Sequence, residues 1–267
     1  MPLLHLILVA LIQGVTEFLP VSSSGHLVLV PVVTGYADQG LAVDVAVHVG
    51  TLLAVLLYFR AEVAIALSGL RDLARGRNGT PGARLALGLA IATVPVILLG
   101  LLLEVTGAAD ALRSVAVIGW AMLLFGLVLW WADRFPQVRG DADWTPRHAL
   151  VLGLWQAVAL IPGTSRSGIV ITGARALGYD REGAARLAML MSIPTIVAAG
   201  SLLGIEAAGA PQPPGFWRDL VLAAALSAAA ALAALALMMR LLRSVSFTPY
   251  VVYRVALGAA LLLWAYG

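Results

Sequence analysis

Residues 114–132, SVAVIGWAMLLFGLVLWWA, run for 19 positions without a charged side chain. As an α-helix rising about 1.5 Å per residue, the stretch reaches about 28 Å, close to the ~30 Å hydrocarbon core of a bilayer. Outward from it, runs 41–59, 85–103, 187–205 and 220–239 are comparably apolar, and 249–266 qualifies with Arg254 inside it. Pro95 and Pro194 fall within these runs, which is tolerable where neighbouring helices cover the freed carbonyls. Six spans predict an all-α polytopic membrane protein, and the composition agrees. The 267 residues are 61% hydrophobic and 12% charged, with mean hydropathy +0.96, whereas a soluble domain carries about a quarter charged residues. Apolar runs exclude disorder, and the absence of Cys excludes disulfides, thiol catalysis and thiolate metal sites. All 17 basic residues are Arg. The net charge of +3 and pI near 9.7 therefore read as membrane orientation, not nucleic-acid binding. The start lacks a basic n-region, so no cleavable signal is expected.

Two further apolar stretches are too short to cross. Residues 3–12 run into Gln13, Glu17, Pro20 and Ser22-Ser23-Ser24-Gly25-His26, and residues 149–161 run into Pro162-Gly163-Thr164-Ser165-Arg166-Ser167-Gly168. A short apolar helix, a Pro/Gly/Ser loop and another short helix predict a re-entrant hairpin, with two kinked spanning helices as the alternative. With both stretches re-entrant, loops 60–84, 133–147, 179–184 and 240–248 share one side and hold 11 Arg, against 2 in loops 104–113 and 206–219. If 148–178 spanned, the division would be 9 against 4. The positive-inside rule favours the first arrangement, with Arg-rich loops cytoplasmic and both termini outside.

Sliding the chain against itself by 143 residues pairs Gln13 with Gln156, Val15 with Val158, Ser22 with Ser165, Ser24 with Ser167 and Gly25 with Gly168. Chance agreement between apolar segments would mostly pair Leu, Ala and Val. The matches predict two repeats, 1–140 and 141–267, each a hairpin followed by three spans. An odd number of spans inverts the second copy, so the hairpin tips enter from opposite faces and meet near the midplane.

Gln13 and Glu17 lie four apart on one helix face. A carboxylate at membrane depth is costly unless paired or wet, which marks Glu17 as a site residue or as the partner of an Arg in the bundle. The serines and Gly25 also suit close helix packing. His26 reads equally as a hydrogen-bonded core histidine. Arg166, between Ser165 and Ser167, is suited to clamp phosphate oxygens or to neutralise Glu17. A carboxylate, hydroxyls, an imidazole and an arginine converging between apolar helices fit phosphoryl transfer. No P-loop, zinc-ligand set or redox-cofactor motif is present. Inverted repeats with broken helices are also transporter architecture, so a carrier of a polyprenyl phosphate or other anion is the alternative. A structural scaffold is the third reading, against which intramembrane Glu17 and Arg166 argue.

The segments Glu17–His26 and Pro162–Gly168 resemble the two signature motifs of the bacterial undecaprenyl-diphosphatases, lipid pyrophosphatases of the bacitracin-resistance type, and the resemblance covers essentially the whole chain. It implies hydrolysis of a polyprenyl diphosphate to the monophosphate and inorganic phosphate at the outer face of the bacterial plasma membrane. It further implies a divalent cation (Mg²⁺ or Ca²⁺) and recycling of the carrier for peptidoglycan synthesis. Carried over, Glu17 becomes the essential carboxylate as metal ligand or base, Ser23 the nucleophile or phosphate-binding hydroxyl, and His26 an acid/base. Arg166 binds the diphosphate, with Gln13, Ser22, Ser24, Ser165, Ser167 and Gly168 around the substrate. The family's first carboxylate position is commonly Glu or Gln; here it is Gln13. Asp44 and His48, one turn apart, are expected to support the site or simply to pack in the bundle. Arg254 is expected to snorkel or to pair with an acid, and Gly100, Gly107, Gly119 and Gly126 would permit a homodimer.

Overall fold

A computed structural model describes residues 2–108, 112, 114–140, 143–208 and 215–267. Arg113, the 140/141 repeat boundary and part of loop 206–219 lie outside the described residues. The chain is helical, with no strand among the described residues. Among the described residues, six helices are long and apolar enough to cross a bilayer: α4 (Leu41–Tyr58), α6 (Pro81–Thr106), α7 (Val115–Ala132), α10 (Arg181–Ala208), α11 (Phe216–Leu241) and α12 (Thr248–Tyr266). Each coincides with a run expected from sequence. Thr80 and Ser114 cap α6 and α7 by accepting from the N–H groups of Ala83 and Val117, which satisfies donors that a helix start leaves open.

The shorter helices carry the motifs. Helix α1 (Leu3–Thr16) leads through a turn to α2 (Ser23–Leu27) and α3 (Leu29–Thr34). Helix α8 (Pro146–Ala157), extended by a 3-10 turn over Val158–Leu160, leads through Ile161–Ser165 to α9 (Arg166–Ala176). Within loop 60–84, α5 (Arg60–Ala74) is amphipathic and largely exposed, with Ile65, Leu67 and Leu70 on its surface.

The two halves pack through each other. Helix α1 lies on α11 and α8 on α6, α10 packs on α4, and α12 on α7. Exchanging the halves leaves this set of pairings unchanged. The α4–α11 contact is close: a Cβ on Gly50 would stand 2.2 Å from the Ala224 carbonyl oxygen. The glycine face expected to serve a dimer is partly used inside the chain. A Cβ on Gly119 would meet Leu262 and Gly258, and one on Gly126 would meet Arg254, all on α12.

At the end of the bundle bearing the Arg-rich loops, Asp133 joins four helices. It accepts from Arg175 Nε at 3.2 Å, from Arg181 Nε at 2.8 Å and Nη2 at 3.0 Å, and from the Phe247 N–H at 3.2 Å. Arg175 is fully buried.

Candidate active site

Both loops turn through the same unusual backbone. Ser22 (φ 74°) and Ser165 (φ 69°) are the non-glycine residues of positive φ among those described, a conformation that L side chains rarely adopt. Each then caps the helix it precedes: Ser22 Oγ accepts from Gly25 N–H at 3.4 Å and Ser165 Oγ from Gly168 N–H at 3.2 Å. Ser22 Oγ stands 3.1 Å from Ser24 Oγ, and Ser165 Oγ stands 3.2 Å from Ser167 Oγ. The loops also bond each other. Gly163 N–H donates to Ser24 Oγ at 3.3 Å, and Ser167 Oγ donates to Leu19 O at 3.0 Å. The sequence repeat is thus a repeat of local geometry, and these hydroxyls build the loops.

The candidate chemical groups sit where the repeat is broken. At the 143-residue offset, Glu17 faces Leu160, Ser23 faces Arg166 and His26 faces Ile169. Glu17, at the end of α1, is buried. Its Oε1 accepts from Arg166 Nη2, and its Oε2 from Ser23 Oγ at 2.7 Å and Gln13 Nε2 at 2.9 Å. Charge-assisted bonds of this kind are the strong ones. Arg166 keeps one hand free: its Nη1 is buried without a partner among the described residues. The buried Oε1 of Gln13 and Oγ1 of Thr164 are likewise unsatisfied.

His48 enters the site more directly than its sequence setting suggests. Its Nδ1 donates to Asp44 O at 2.7 Å, which leaves Nε2 pointing to Glu17 Oε2 at 3.9 Å. It lines a cavity of about 330 Å³ together with Ser23, Ser24, Asp38, Asp44 and Pro162. The cavity lies toward the Leu41 end of α4, away from the Arg-rich loop that follows α4. His26 is placed differently. Its Nδ1 donates to Ser22 O at 2.7 Å and its Nε2 accepts from the Tyr253 hydroxyl, and no bond joins it to Glu17, Ser23 or Arg166. Arg254 does not snorkel, and among the described residues it pairs with no acid; it is fully buried and bonded to backbone carbonyls.

A hydroxyl donating to a carboxylate, beside a guanidinium with a free face, can deliver an oxygen nucleophile to a phosphorus atom whose oxygens the guanidinium holds. Comparisons with known proteins point to a lipid diphosphate as the substrate. The family model for bacitracin resistance protein BacA matches residues 6–260. An undecaprenyl-diphosphatase from Dinoroseobacter shibae is 65% identical over 267 residues, and one from Ruegeria pomeroyi is 64% identical over 267, each covering 100% of both chains. One from Hahella chejuensis is 46% identical over 263 residues, 98% of each chain.

Proposed function

We propose how this chain, which belongs to the bacitracin resistance protein BacA family, works as an undecaprenyl-diphosphatase. It hydrolyses undecaprenyl diphosphate to undecaprenyl phosphate and inorganic phosphate, returning the lipid carrier to cell-wall synthesis and conferring resistance to bacitracin. The observation that carries the mechanism is the 2.7 Å bond from Ser23 Oγ to Glu17 Oε2, beside an Arg166 with an unpartnered Nη1. Glu17 takes the proton of Ser23 as Ser23 Oγ attacks the terminal phosphorus. The bond to the bridging oxygen breaks, undecaprenyl phosphate leaves, and water then releases phosphate from the serine. Arg166 Nη1 holds a non-bridging oxygen throughout, where charge accumulates.

The donors fit a weak divalent-cation site. Glu17 supplies a carboxylate, Gln13 an unsatisfied amide oxygen and Ser23 a hydroxyl, all hard oxygen ligands suited to Mg²⁺ or Ca²⁺. Among the described residues no group of three His, Asp or Glu assembles for a metal, so the remaining ligands come from the diphosphate and water. Such an ion neutralises charge on the diphosphate when bound.

The inverted sense of the repeat, with both hairpins re-entrant, is our reading of the Arg distribution and the reciprocal loop bonds. It places the cavity toward the outside of a bacterial inner membrane, with the polyprenyl tail among the helices. A homodimer would use a face other than Gly119 and Gly126. The family match gives the transporter alternative no support. Release of phosphate from undecaprenyl diphosphate by the purified protein in detergent, where transport has no meaning, is the expected result. No release over the detergent blank would refute the hydrolytic reading.

A further inference from the structure

We propose that Arg254, one turn and a half into α12, is the positioning residue of this site: one guanidinium that holds both motif loops so that Glu17 and Arg166 meet. The inference rests on the hydrolytic reading above. Arg254 is fully buried in an apolar span, and among the described residues no carboxylate pairs with it. A charge so placed is costly unless its donors are used. They are used on backbone carbonyls, three in the motif loops and two on α7. Nη2 donates to Thr164 O at 2.8 Å, to Gly163 O at 3.2 Å and to Ala121 O at 3.5 Å. Nη1 donates to Pro20 O at 3.4 Å and Nε to Met122 O at 3.3 Å.

Pro20 and Gly163 are equivalent positions of the two loops under the 143-residue offset. Arg254 therefore grips the same carbonyl of each loop at once and ties both to α7. Gly168 makes this possible, because a Cβ there would stand 2.8 Å from Arg254 Nη1. The neighbouring Tyr253 adds a bond to His26 on α2.

Two measurements test the clamp. Because the chain has no Cys, V28C and L154C, both at exposed positions, can carry spin labels on the segments flanking the two loops. Arg254→Met is expected to broaden their distance distribution, and an unchanged distribution would overturn the proposal. In detergent, Arg254→Met is expected to lower kcat about 100-fold, the scale of a catalytic group misplaced by about 1 Å, with KM within about twofold. Arg254→Lys should recover part of that loss. The double variant Arg254→Met/Arg166→Ala should be no slower than Arg166→Ala alone, since the two act as one unit. Multiplied losses, or a change confined to KM, would overturn it. If Arg254→Met is not monodisperse, Gly168→Ala, which displaces Nη1 and keeps the charge, takes its place in both measurements. A wild-type protein that releases no phosphate would instead overturn the hydrolytic reading, and the distance measurement would still decide the clamp.

Discussion

The division of labour among the motif residues is sharpest at the residue scale. Ser22, Ser24, Ser165 and Ser167 spend their hydroxyls on helix caps and loop-to-loop bonds, whereas Ser23 spends its own on Glu17. Ser23→Ala is therefore expected to abolish phosphate release, by at least about 10³-fold if the serine is the nucleophile. Rapid quench with undecaprenyl diphosphate labelled at its terminal (β) phosphate should trap phosphate on Ser23, and turnover without that species would favour direct attack by water. The pairing of Glu17 with Arg166 was legible because charge is scarce in this chain and costly where they stand. His48 was half legible. Its four-residue spacing from Asp44 puts both on one helix face, but only the bond from Nδ1 to Asp44 O turns Nε2 to the carboxylate. His26 had two readings, an acid/base or a hydrogen-bonded core histidine, and its partner Tyr253, 227 residues away, lies beyond any spacing argument.

At the scale of elements, six helices were readable because each is a long apolar run bounded by Arg, Pro or Gly. Helix α5 was not, because a short amphipathic helix inside an Arg-rich connection lacks the length that marks a span. The repeat predicted matching loops, and the structure shows why the matched residues recur: a serine of positive φ caps the following helix in each. Ser165→Ala should lose the cap while keeping the strained backbone. An effect of about 1 kcal/mol is expected, read as a lower melting temperature in detergent. At the α4–α11 contact, Gly50→Ala should destabilise more, since its Cβ meets a backbone oxygen that cannot yield without moving a helix.

Across the whole molecule, function depends on parts that no local pattern reveals. Asp133, Arg175 and Arg181 are separated by 42 and 48 residues yet form one network, and Arg254 reaches loops 90 and 234 residues away. Spacing arguments see neighbours on one helix; they do not see a guanidinium from one span ending on carbonyls of two loops. Asp133→Ala would leave Arg175 buried without its carboxylate, at a cost of about 3–5 kcal/mol. It should lower thermal stability far more than Glu17→Ala does, while a wild-type melting curve would contradict the network's role.

In the mechanism proposed above, two loops from the two halves contribute opposite charges to one hydrolytic site. Phosphate release from undecaprenyl diphosphate in detergent, comparing purified wild type with Glu17→Ala and Arg166→Ala, tests that arrangement. Losses of about 10³-fold or more are expected for each, the scale on which arginine clamps act in phosphoryl transfer, in protein that remains folded and monodisperse. Undiminished release by either variant would contradict it.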